Sequence, residues 1–130
     1  MKILIVDDNP IDLLINTKII QSVSSDCILT SCDSKESVIS FLDNVSSNLD
    51  LQPNFIFLDI RMPILDGFEL LQELEKTYTP ILEKAKIYML SSSLDTADLQ
   101  KVEDHPLLNG FIDKPLRQEA LLEIIGENSN

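Results

Sequence analysis

The sequence predicts an α/β domain: a doubly wound, five-stranded parallel sheet with helices on both faces. Three observations predict it. Short apolar runs of strand type alternate with stretches of helical period along the chain, the signature of successive βα units. Polar residues, Asp7-Asp8, Asp59, Ser91 and Lys114, stand where those runs end. At 130 residues and 44% hydrophobic content, the chain can bury a single core.

The elements follow in order. Ile3-Leu4-Ile5-Val6 is the first strand, closed by Asp7 and Asp8. Pro10 suits a first helical turn, and Ile11, Leu14, Ile15 and Ile19 mark one apolar face to about Val23. Cys27 to Ser31 reads as a short, partly polar second strand. Ser34 caps a helix through about Asn44, with Val38, Phe41, Leu42 and Val45 on its apolar side. A Ser-rich connection through Asn54 leads to the third strand, Phe55-Ile56-Phe57-Leu58, closed by Asp59. Asp66-Gly67 opens a helix carrying Phe68, Leu70, Leu71 and Leu74, which Thr79-Pro80 ends or kinks. Ile87-Tyr88-Met89-Leu90 is the fourth strand and ends on Ser91. Asp95 or Thr96 starts a shorter helix broken by Pro106. The fifth strand, Phe111-Ile112, follows Gly110 and leads to Lys114-Pro115. Arg117 to Ile125 form the last helix, stopped by Gly126. One domain over residues 1–126 with a short tail at 127–130 is expected, without repeat, linker or output domain.

Charge excludes several classes. Ten Lys+Arg against 22 Asp+Glu give −12, a surface repelled by nucleic acid and by anionic membranes. No apolar run approaches the ~20 residues that cross a bilayer, so no membrane insertion is expected. Cys27 and Cys32, five apart on a strand-like stretch, project to opposite faces and are not expected to pair. With no basic region followed by an apolar one at the N-terminus, a reduced, cytoplasmic setting is the reading.

If the strands are parallel neighbours, their carboxyl ends converge at one edge, where ligands of such sheets bind. That edge gathers three carboxylates, a hydroxyl and an ammonium, a set suited to a divalent cation and a phosphoryl group. Singly, these residues are ordinary: an Asp-Asp pair in an acidic chain is usually solvated, and a lone lysine usually lies on the surface. Their joint placement carries the argument.

Asp7-Asp8, the stretch Leu58-Asp59-Ile60-Arg61-Met62-Pro63-Ile64-Leu65-Asp66-Gly67, Ser91 and Lys114-Pro115 together resemble the response-regulator receiver domain of bacterial two-component signalling, over nearly the whole chain. The resemblance implies strand order 2-1-3-4-5. It implies Asp59 as phosphoacceptor, a carboxylate nucleophile that forms an aspartyl phosphate. Mg²⁺, or Mn²⁺ in its place, would be held by Asp8, Asp59 and the backbone carbonyl of Arg61, with Asp7 acting through a bound water. Lys114 and the Ser91 hydroxyl would contact the phosphoryl oxygens. A cis bond before Pro115 and a switch made of Ser91 and Phe111 complete the pattern. The chain is not expected to be an enzyme beyond its own phosphorylation and slow self-dephosphorylation. Expected partners are a sensor histidine kinase or a histidine phosphotransfer protein, and a downstream protein acted on in trans.

Two positions depart from the commonest pattern. Ser91 stands where threonine is more frequent. Arg61, two residues past Asp59, borders the path of the hydrolytic water, where a long cation can hold the phosphoryl group or obstruct water. Rival classes fit less well. A phosphatase of the haloacid dehalogenase type needs an acid where Arg61 stands, and a flavin phosphate would be repelled by Asp7-Asp8. The alternatives kept are a receiver-fold interaction module and a phosphate-shuttling relay protein. His105 and the cysteines read as structural.

Overall fold

Five strands, β1 (Lys2–Val6), β2 (Ile28–Cys32), β3 (Phe55–Asp59), β4 (Lys86–Ser91) and β5 (Leu108–Asp113), form one parallel sheet in the order β2-β1-β3-β4-β5. The helices between and after them are α1 (Pro10–Val23), α2 (Lys35–Val45), α3 (Gly67–Lys84), α4 (Thr96–Asp104) and α5 (Gln118–Glu127). The computed structural model describes residues 1–62, 66–92 and 95–127. Pro63, Ile64 and Leu65 of the motif and residues 128–130 of the expected tail lie outside the described residues.

The period-two alternation of the strands builds two cores. Ile3, Ile5, Phe55, Phe57, Leu90 and Ile112 face α1 and α5, where Ile20, Leu116, Leu121 and Ile125 close over them. Leu4, Val6, Ile56, Leu58, Ile87 and Met89 face the other way, under Val38, Leu42, Leu70, Leu71 and Leu74 of α2 and α3 and Val102 of α4. All five residues of β3 are buried, which is why that strand reads as a continuous apolar run. The register sets Val6 beside Leu58, Asp59 beside Leu90 and Ser91 beside Asp113, so the strand ends are aligned.

Side-chain caps fix the helix entries. Asn9 Oδ1 accepts the N–H groups of Ile11 at 2.9 Å and Asp12 at 3.1 Å. Ser34 caps α2, Asp66 and Glu69 form a capping box on α3, and Asp95 caps α4. Among the described residues no helix is long and apolar enough to cross a membrane. Both cysteines are free.

The structure corrects the reading of α1. Ile11, Leu14 and Ile15 are exposed, and Ile19 is only partly buried. The helix instead turns Leu13, Asn16, Ile20 and Val23 toward the sheet. Asn16 is tolerated there because its Oδ1 accepts the Leu116 N–H at 3.2 Å. Other differences are smaller. β2 lies one residue later than expected. α3 is kinked rather than ended at Thr79-Pro80, one of the two expected outcomes: it continues to Lys84 with non-helical dihedrals at Tyr78, where the proline ring obstructs the preceding turn. β5 begins at Leu108, and Asn109 Oδ1 accepts the Ile87 N–H at 2.9 Å at an irregularity in the β4–β5 pairing. α5 begins at Gln118 and runs through Gly126 instead of stopping there. A 3-10 turn at Leu49–Leu51 interrupts the Ser-rich connection.

Candidate functional site

Parallel pairing carries each predicted polar residue to the same edge. Asp7 follows the last residue of β1, and its N–H donates to the Cys32 carbonyl at 3.0 Å. Asp59 is the last residue of β3, held in line by the Ile60 N–H donating to Leu90 at 3.0 Å. Ser91 ends β4 in a buried position, and its carbonyl accepts the Lys114 N–H at 2.9 Å. The Lys114–Pro115 peptide bond is cis, as the resemblance implied. The Lys114 ammonium lies 2.6 Å from Asp7 Oδ2 and 3.2 Å from both Asp59 Oδ1 and Asp12 Oδ2.

One ammonium therefore serves three carboxylates, two of them buried. Burial pushes the Asp59 carboxyl up to about 6, and the charge of Asp7 adds to this; Lys114 and the Arg61 N–H oppose it. Burial pulls Lys114 the other way, but Asp7, Asp59 and Asp12 prevail and hold it above the ordinary lysine range. Asp7 has both oxygens engaged, since its Oδ1 accepts the Asn9 N–H at 3.0 Å.

Ligand oxygens of Asp7, Asp8 and Asp59 lie within 4.8 Å of one another, and Asp8 is the most open of the three. The fit to a hard divalent cation follows from this donor set. All donors are oxygens, their negative charge exceeds what Lys114 balances, and burial together with the charge of Asp7 drives Asp59 toward protonation. Receiver domains generally bind Mg²⁺ through such an acidic pocket.

Gly67 shapes the floor of the pocket. A Cβ at this position would lie 2.5 Å from the Asp59 carbonyl oxygen and 3.1 Å from the Ile60 Cα. Only a residue without a side chain lets the start of α3 approach β3 so closely, and the Gly67 N–H donates to the Ile60 carbonyl at 2.9 Å. The Asp-Gly pair at the end of the sequence motif thus has a steric origin.

Arg61 is placed differently from its sequence reading. Its N–H donates to Asp59 Oδ1 at 3.3 Å, but its guanidinium is engaged by Asp98 of α4. Phe111 is 42% exposed on the edge strand β5, beside Leu99 and Val102, so the side chain stands outward and clear of the core. His105 is structural: Nε2 meets Glu75 Oε1 at 2.6 Å and Nδ1 accepts the Leu107 N–H at 3.1 Å.

Sequence reasoning missed Asp12 and Asp98. Each occupies the first turn of a helix that starts at the pocket edge, behind the caps Asn9 and Asp95. Those caps mark where the helices start but not which of their side chains turn toward the pocket.

The parallel sheet in the order β2-β1-β3-β4-β5, with its acidic, lysine-bearing carboxyl edge, is the receiver arrangement that the resemblance implied. Residues 3–126 match the family described as response regulator receiver domain, and the chain belongs to that family. It is similar to hybrid signal transduction histidine kinases L and C of Dictyostelium discoideum, with 31% identity over 99% of the chain and 30% over 92%. The chain spans only 7% and 9% of the length of those relatives. A two-component response regulator from Cytophaga hutchinsonii superposes with a TM-score of 0.87 at 29% identity, covering 97% of this chain and 94% of that one.

Proposed function

We propose that this receiver domain accepts a phosphoryl group on Asp59 from a histidine kinase or a histidine phosphotransfer protein, and signals through a partner protein. The observation that carries the reading is the Lys114 ammonium shared between Asp7 and Asp59 at the carboxyl edge of β1 and β3. An Asp59 oxygen attacks phosphorus, the bond from phosphorus to the donor imidazole nitrogen breaks, and the imidazole leaves. Lys114, anchored by Asp7 and by the backbone of Ser91, faces the side on which phosphoryl oxygens arrive. Ser91 supplies a hydroxyl beside that position.

Asp8, Asp59 and the Arg61 carbonyl would hold Mg²⁺ or Mn²⁺, and Asp7, with both oxygens already occupied, would act through water. When bound, the ion neutralises charge between the carboxylate and the incoming phosphoryl oxygens. Similarity to hybrid histidine kinases supports a kinase or phosphotransfer donor, and equally a relay role in which the phosphoryl group is passed on.

Incubation with acetyl phosphate and Mg²⁺ tests the assignment. One acid-stable, base-labile phosphoryl group should appear by intact mass, fail to form when EDTA is present from the start, and be absent from Asp59→Asn. Equal labelling of Asp59→Asn would remove the assignment.

A further inference from the structure

Two tethers hold α4, one at each end. At its C-terminal end, Lys101 lies 5.2 Å from the centre of the Phe68 ring, and His105 meets Glu75 of α3. At its N-terminal end, Asp98 accepts a charged hydrogen bond from Arg61. The two partners of this second tether differ. The Asp98 side chain is 8% exposed, whereas Arg61 is 52% exposed. The carboxylate is therefore fixed, held also in the positive field of the α4 N-terminus, while the guanidinium is free to leave. The backbone of Arg61 already lies at Asp59, to which its N–H donates. One long cation thus stands between a buried carboxylate on α4 and the candidate acceptor.

We infer that Asp98 is a positioning residue that parks Arg61 on α4 in the resting state, and that an anion on Asp59 competes for the same guanidinium and so loosens the first turns of α4. This rests on the reading of Asp59 as the acceptor. A phosphoryl group offers more charge and more acceptor oxygens than one carboxylate, and its hydrogen bonds to a guanidinium are of the strong, charge-assisted kind. Once Arg61 turns to it, Asp98 is left buried without that cation, an unfavourable state relieved only when the residue reaches water. The C-terminal tether stays in place, so the motion is a pivot about the His105 end. The differential affinity of Arg61 for the two anions sets its size. This route to α4 runs through Arg61 alone and needs neither Ser91 nor Phe111.

Beryllofluoride with Mg²⁺, standing in for the phosphoryl group, tests the inference by amide hydrogen exchange on the full chain. In the wild type, exchange over residues 96–99 should speed up several-fold on adding the mimic, with residues 102–105 little changed. Asp98→Asn should show fast exchange at 96–99 from the start and no further increase. Asp98→Glu, which keeps the charge, should restore both the resting protection and the response. The lifetime of the phosphoryl group placed on Asp59 by acetyl phosphate should follow the same order, shifted in Asp98→Asn and returned toward wild type in Asp98→Glu. If Asp59 is labelled and 96–99 do not respond, the competition is overturned and the acceptor stands. A wild-type increment in Asp98→Asn overturns it too. If Asp59 takes neither phosphoryl group nor mimic, the acceptor reading falls, and the competition falls with it.

Discussion

Two charge clusters lie beyond the end of β3, and they are built on opposite plans. In the pocket, one ammonium is shared among Asp7, Asp12 and Asp59, so negative charge is in excess and largely buried. On the α4 side, Arg61 and Asp98 are matched one to one, with the cation half in solvent. The difference teaches what each can do. An unbalanced buried cluster gains from any added positive charge, which is the property a cation-dependent acceptor requires. A balanced, half-exposed pair gains nothing from an ion but is readily rearranged by a competing anion.

The sharpest way to break the comparison is Lys114→Met. It removes the ammonium that two buried carboxylates share, and stranding buried charge in this way costs about 3–5 kcal/mol. Thermal melts without divalent cation should show that loss, and Mg²⁺ should recover part of it by binding the folded state. A melting temperature within error of wild type would mean that water already solvates Asp7 and Asp59. The pocket would then be no more strained than the α4 pair.

Next in size is Asp59→Asn, which should raise stability. The folded carboxyl sits at about 6, above its unfolded value, so the native state binds the extra proton between the two. Stability is therefore lost as pH rises from roughly 4 through 6, amounting to about 1–3 kcal/mol once both states are ionised. The amide that replaces the carboxyl carries no such charge. In denaturant titrations without metal, the variant should match wild type near pH 4 and exceed it by that amount at pH 7. Mg²⁺ should narrow the gap. A gap that is constant across this pH range would show that desolvation of Asp59 is not the source.

Gly67→Ala probes the same pocket sterically. The added methyl would meet the Asp59 backbone, which cannot yield as a flexible side chain would. Overpacking of this kind costs about 1–3 kcal/mol. Mg²⁺ affinity should fall as well, because the displaced segment includes Asp59 itself. Loss of stability with unchanged Mg²⁺ affinity would separate the floor of the pocket from its ligands.

The pocket was legible in the sequence for a geometric reason. Asp7, Asp8, Asp59, Ser91 and Lys114 each adjoin the end of an apolar run, and parallel pairing converts distant run ends into neighbours. The placement of the core strands followed from the same runs, whereas their order across the sheet came only from the family resemblance. Asp12 and Asp98 were not legible, because a helical residue reaches the site only if the helix has the right rotation about its axis. For α1 the apolar pattern gave the wrong rotation. Ile11, Leu14 and Ile15 resemble a core face but lie in solvent, while polar Asn16 holds the buried position through its bond to Leu116. The outward engagement of Arg61 was hidden for a related reason: its partner is set by where α4 docks, which local spacing does not encode.

The smallest effect should come from Arg61→Gln, and salt is what sharpens it. Exposed ion pairs contribute about 0–1 kcal/mol, and the burial of Asp98 places this pair at the upper end, at about 1 kcal/mol. Because the guanidinium is half in solvent, counterions reach it. Mobile ions screen over roughly 10 Å at 0.1 M salt and roughly 3 Å at 1 M. The Arg61→Gln penalty should therefore shrink markedly when NaCl is raised across that range. The Lys114→Met penalty, arising among buried groups, should stay nearly constant. Denaturant titrations of both variants at the two salt concentrations measure this directly. Equal salt dependence would show that the two clusters are screened alike. The contrast between a closed pocket and an open, exchangeable pair would then fail, and with it the physical basis for expecting Arg61 to change partners.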